Sequence, residues 1–108
     1  MKVFTTLAAF ATVASAEIGY WKLYCGDSCS TGTLINQGDI ETNVTTTCTS
    51  LGATYDYCYL EVDESYPNVY RSVLSADTTC GRSTNPVLSG GECTSAGSWE
   101  YYEIYYYL

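Results

Sequence analysis

Six cysteines, at 25, 29, 48, 58, 80 and 93, are the residues with the most definite chemistry in this 108-residue chain. Zinc could use the close pair Cys25 and Cys29. No second close cysteine pair exists and the chain holds no histidine, so the ligand set for a zinc centre is missing. An even cysteine count in a short exported chain reads instead as a disulfide framework. The lack of histidine also removes Ser-His-Asp and Cys-His nucleophiles. Oxidised cysteines offer no thiolate. Carboxylate chemistry of the glycosidase kind is left, with Asp63/Glu64 and Glu100/Glu103 as its candidates. Such chemistry needs a cleft, and a domain this small has little room for one. The expectation is therefore a protein that is not an enzyme and has no cofactor or metal.

Tyrosine is the other conspicuous resource. Twelve tyrosines and two tryptophans crowd the chain, most densely from Tyr101 to Tyr107. Aromatic side chains exposed in a row stack on flat ligands or anchor protein interfaces. Strand alternation puts Tyr101, Tyr105 and Tyr107 on one face with Glu103, and Tyr57 and Tyr59 occupy an equivalent strand. These five tyrosines form the expected binding surface. The other reading is that they close the edge of the fold.

Export is read from the first sixteen residues. Lys2 precedes an apolar run from Val3 to Val13 broken only by threonines, and Ala14-Ser15-Ala16 gives the small residues of a cleavage site. About ten apolar residues are too few to span a bilayer core of roughly 30 Å. The expectation is a signal peptide at 1–16, a mature domain at 17–108, and an extracellular location. Asn43-Val44-Thr45 is an N-glycosylation acceptor. Loss of Lys2 leaves Lys22, Arg71 and Arg82 against twelve acids, a mature charge of −9. That charge repels phosphate backbones and anionic lipid, so nucleic-acid binding and membrane insertion are disfavoured. An extracellular protein or glycan on another cell is the expected partner.

The elements that hold these residues come from an internal repeat. Cys48-Thr49-Ser50-Leu51-Gly52-Ala53 recurs as Cys93-Thr94-Ser95-Ala96-Gly97-Ser98, and an aromatic strand follows each copy. Upstream, Leu23 to Cys29 resembles Val73 to Cys80 with one insertion. The mature chain reads as two repeats, about 17–64 and 67–108, joined by the turn-rich Ser65-Tyr66-Pro67-Asn68. Trp21, Leu23 and Cys25 share one strand face, as do Cys58, Leu60 and Val62, and Tyr102, Ile104 and Tyr106. Short β-branched and aromatic runs between turns predict an all-β chain folded as a β-sandwich. The repeat pairs Cys80 with Cys93, Cys29 with Cys48 by symmetry, and Cys25 with Cys58 by remainder. Bridges exchanged between the halves are the alternative.

The stretches Tyr20-Trp21-Lys22-Leu23-Tyr24-Cys25-Gly26-Asp27-Ser28-Cys29, Thr79-Cys80-Gly81-Arg82-Ser83-Thr84 and Trp99-Glu100-Tyr101-Tyr102 carry a resemblance. Their pattern is similar to the βγ-crystallin-like double Greek key, and to the small secreted killer-toxin-like proteins of yeasts, fungi and bacteria. The resemblance implies two tandem Greek-key units. It also implies a role among microbial toxins, metalloproteinase inhibitors and plant-associated effectors. This chain departs from the pattern in two ways. Calcium-binding crystallin units pair Asp/Asn residues before a hydroxyl residue, and only Asp27-Ser28 and Asp77-Thr78 stand at the matching places. Toxins of this type also tend to be basic. The expected function is a non-enzymatic toxin-like or effector-like binder. The rivals are a protease inhibitor, through Asp39–Thr47 or Arg82–Gly91 with Arg82 or Leu88 offered to the protease, a carbohydrate- or wall-binding module using the tyrosine strip, and a purely protective extracellular protein with no target.

Overall fold

A computed structural model describes residues 19–39, 47–65 and 69–106. The expected leader, the Asn43 acceptor, link residues 66–68 and Tyr107 lie outside the described residues. Within them the chain is all-β, with seven strands: β1 (Tyr20–Gly26), β2 (Thr33–Asp39), β3 (Thr49–Tyr55), β4 (Tyr57–Val62), β5 (Tyr70–Ser75), β6 (Val87–Leu88) and β7 (Trp99–Tyr106). They form two antiparallel sheets, one in the order β2-β1-β4 and the other β3-β7-β5-β6.

Alternation along the strands builds the core between these sheets. Trp21, Leu23 and Cys25 from β1 and Cys58, Leu60 and Val62 from β4 point inward from the first sheet. Tyr70, Leu74, Leu88, Tyr102 and Ile104 meet them from the second, with Leu51 of β3. Burying one such side chain stabilises the fold by about 1.5–3 kcal/mol. Period-two patterning therefore decides which face of each strand is inside. β2 is less regular. Its sequence Thr-Leu-Ile-Asn-Gln-Gly-Asp has no clean alternation, and it holds to β1 as an edge strand with a register shift between Leu23 and Tyr24.

Two glycines are required by the path of the chain. A Cβ on Gly26 would lie 2.5 Å from the Thr31 carbonyl oxygen, so only glycine lets the loop after β1 fold back this closely. Gly91 has φ +86°, and its N–H donates to the Leu60 carbonyl at 2.8 Å.

β3 lies early in the chain but belongs to the later sheet, pairing with β7 at Thr49↔Tyr102 and Ser50↔Tyr101. A reciprocal contact runs the other way. Cys93 bridges Tyr59 on β4, the Thr94 N–H donates to the Cys58 carbonyl at 2.9 Å, and the Thr94 hydroxyl accepts the Cys58 N–H at 3.0 Å.

This exchange corrects the expected disulfide pairing. Cys25–Cys58 forms as expected, between facing residues of β1 and β4. Cys29–Cys48 and Cys80–Cys93 do not form; the bonds are Cys29–Cys93 and Cys48–Cys80. The cause is the crossing of the segments. Cys48 leads into β3, which lies on β7 beside β5, and the chain after β5 reaches Cys80. Cys93 lies against β4 beside β1, and the chain after β1 reaches Cys29.

Candidate functional site

The register that buries Trp21, Leu23 and Cys25 turns Tyr20, Lys22 and Tyr24 outward. On β4 the same logic turns Tyr57, Tyr59 and Glu61 outward, each half-buried. Antiparallel pairing then sets Lys22 opposite Glu61 and Tyr24 opposite Tyr59. Directly facing side chains on one sheet face lie about 5 Å apart at Cβ, so these residues form one continuous patch. Cys25–Cys58 fixes the two strands covalently beneath it.

Two depressions open on this patch. One, of about 450 Å³, is lined by Tyr24, Cys29, Ser30, Gly32 and Tyr59. The other, of about 400 Å³, is lined by Tyr20, Tyr59, Glu61, Val62, Glu64 and the Gly90-Gly91 turn. Tyr59 lines both, and the two depressions side by side on this face are referred to together as the groove. The first half is neutral and aromatic, and the second carries two carboxylates.

Charge organises the acidic half. The Tyr20 hydroxyl donates to Glu61 Oε2 at 3.2 Å, and the Lys22 ammonium lies 5.4 Å from the centre of the Tyr20 ring. The Tyr20 phenol titrates above its usual range, chiefly through partial desolvation. The hydrogen bond to Glu61 and the charges of Glu61, Asp63 and Glu64 act in the same direction. A field that resists a new anion favours a cation at the same place.

The remaining expected residues are distributed elsewhere. Tyr101 and Tyr105 are half-buried on the outer face of β7, across from Ser75 and Arg71 of β5. They therefore lie on the other sheet from Tyr57 and Tyr59, so the four described tyrosines of the expected surface are split between two sheets. Glu100 and Glu103 are an odd number of residues apart on β7 and take opposite sides of the strand. The Asp63 carboxylate accepts the Ser65 N–H at 3.0 Å, in the turn after β4.

Leu88 is 4% exposed in β6, within the core, so it is not the protease-facing residue that the inhibitor reading proposed. Arg82 makes an ion pair with Asp77 at 2.8 Å. Asp77 also accepts the Thr79 N–H at 2.9 Å and the Ser75 hydroxyl at 3.3 Å. Of the two aspartates at crystallin-like turn positions, Asp77 is thus occupied in holding its own turn.

The Thr79 N–H first, and Arg82 next, hold the Asp77 carboxyl below the usual carboxylate range. A depressed carboxylate pKa contributes stability above the unfolded-state pKa, and that contribution disappears as pH falls through the folded value. Thermal melts should therefore show Asp77→Asn less stable than the parent near neutral pH. The difference should close in strong acid; a constant difference at every pH would contradict this assignment.

Tyr20, Tyr24, Glu61 and Glu64 were absent from the expected surface, yet a signal for them existed. Alternation already turned Tyr20 and Tyr24 away from Trp21 and Leu23. The expected Cys25–Cys58 bond was enough to place Tyr24 beside Tyr59. Neither a protein-family model, nor a curated protein, nor a solved structure matches this chain.

Proposed function

We propose that this chain is a secreted, non-enzymatic protein of the killer-toxin-like or effector-like kind, which binds a target outside the producing cell through the outer face of β1 and β4. The observation that carries this reading is the groove centred on Tyr59, mounted on a sheet that is pinned by a disulfide. A rigid aromatic surface loses little entropy on binding, which is what a small binder needs. Three disulfides in a domain of this size suit an oxidising extracellular setting and agree with the leader-like residues 1–16. The exchanged β3 and the crossed bonds support a double Greek-key arrangement of two related units.

The test is exposure of yeasts, bacteria and plant leaf cells to the purified oxidised domain. Arrest or death of at least one target is expected, and it should be lost on reduction. Tyr59→Ala should raise the half-maximal dose about tenfold or more, the cost of removing a central aromatic anchor. No effect at micromolar dose, or full potency in Tyr59→Ala, would defeat the proposal.

A further inference from the structure

We infer that the groove binds an amine-bearing polysaccharide, a polymer of N-deacetylated amino sugars, with its rings against Tyr24 and Tyr59 and an ammonium held between Glu61 and Glu64. The inference rests on the reading of this face as the binding surface and names its occupant.

Three features select that chemistry. The neutral half presents Tyr24 and Tyr59 side by side, with the Ser30 segment at its margin. The negative face of a tyrosine ring attracts the polarised C–H groups on the flat side of a sugar. The acidic half adds Glu61 and Glu64 to the Tyr20 ring. Carboxylates beside an aromatic face form a site for an ammonium, because both attract it. The protein's own Lys22 already places an ammonium over that ring, which shows that the geometry admits one. A ligand covering both halves must combine flat, weakly polar faces with positive charge. Neutral sugars give the carboxylates hydroxyl donors but no opposite charge, and acidic polymers are repelled by the net negative chain.

A basic peptide fits less well. Extended peptides dock by adding to a free sheet edge, where unpaired main-chain groups receive them. Here β1 lies between β2 and β4. The far side of β4 is closed by bonds from Leu60 N–H to the Glu92 carbonyl, Gly91 N–H to the Leu60 carbonyl and Thr94 N–H to the Cys58 carbonyl. The floor of the groove therefore offers side chains, and these match hydroxyl and amine groups distributed around a sugar.

Calorimetric titration in mildly acidic, low-salt buffer tests this with four probes: glucosamine oligomers, their N-acetylated counterparts, glucose oligomers and oligolysine of equal charge. The glucosamine oligomer should bind about tenfold more tightly than any of the other three. Tyr59→Ala should weaken it about tenfold. Glu61→Gln with Glu64→Gln should abolish the preference over the acetylated form while leaving the acetylated form's affinity unchanged. Lys22→Ala should strengthen binding about threefold by removing the competing ammonium. Glu100→Gln with Glu103→Gln, on the other sheet, should have no effect. The inference is overturned if the glucosamine oligomer does not bind, if oligolysine binds equally well, or if the Glu100/Glu103 variant loses as much as the Glu61/Glu64 variant. Cell activity that depends on Tyr59 without oligomer binding would sink only the sugar assignment. Oligomer binding without any effect on cells would sink the toxin or effector reading alone.

Discussion

Replacing Cys29 and Cys93 together by alanine should lower the unfolding free energy by about 4 kcal/mol, read as an earlier urea midpoint. The bond spans 64 residues of sequence, and the chain-entropy model assigns a loop of that size about that value. A domain of this kind has a total stability of roughly 5–15 kcal/mol, so the variant should be at or near its folding threshold at body temperature. The Cys48–Cys80 bond closes a shorter loop, with a sequence separation of 32, so the Cys48/Cys80 double variant should lose about 0.6 kcal/mol less. A discriminating control is Cys29→Ala with Cys48→Ala. It leaves Cys93 and Cys80 without their partners and should titrate as two free thiols, whereas the Cys29/Cys93 variant should titrate as none. Two thiols in the Cys29/Cys93 variant would contradict the crossed connectivity.

Trp21→Ala should cost about 3–5 kcal/mol. Trp21 is fully buried in β1, the central strand of its sheet, and its removal would leave a cavity in the close-packed core. Leu34→Ala on edge strand β2 serves as the comparison. Leu34 is exposed, so its removal should change stability by no more than about 0.5 kcal/mol. Chemical denaturation of both variants checks the pair. Similar midpoints would show that Trp21 is not central to the core. Because Tyr20 and Lys22 flank Trp21 on the opposite side of β1, the variant should also loosen the groove. Loss of binding in Trp21→Ala would therefore say nothing specific about the site, which is why the site tests use outward-facing residues.

The strands that carry most of the core were legible in the residues themselves. Trp21-Leu23-Cys25, Cys58-Leu60-Val62 and Tyr102-Ile104 alternate cleanly, and burial follows that alternation without exception. β2 was harder to read because an edge strand with Asn36, Gln37 and Gly38 carries little apolar signal; its partner β1 determines it. The disulfides show a different limit. The repeat equates Cys29 with Cys80 and Cys48 with Cys93, and that correspondence holds equally for bonds within each half and bonds between them. Only the passage of β3 into the other sheet selects between them, and a strand's choice of sheet depends on long-range packing rather than on local pattern.

The expected tyrosine surface is divided between the two sheets for a related reason. Tyrosine density points to β7, whose Tyr101 and Tyr105 lie on the other sheet from Tyr57 and Tyr59. A depression depends on what surrounds a side chain, and Tyr59 acquires its surroundings from two distant places. Ser30 and Gly32 come from the loop after β1, and Gly90-Gly91 from the turn before Cys93. Those segments meet at β4, where the 91–94 stretch makes backbone bonds to Leu60 and Cys58, and Cys29–Cys93 ties the loop after β1 to it. A sequence reading that kept the two halves covalently separate had no means of bringing them together around Tyr59.

The crossed bonds also determine how the molecule withstands cutting. A protease that opens the backbone anywhere between Cys58 and Cys80 produces two fragments, yet Cys29–Cys93 and Cys48–Cys80 still tie one to the other. The nicked product stays one covalently joined molecule, heavier only by the water of hydrolysis, under oxidising conditions and separates only when a reductant is added. A single scission in that interval leaves a two-chain molecule with both sheets still joined.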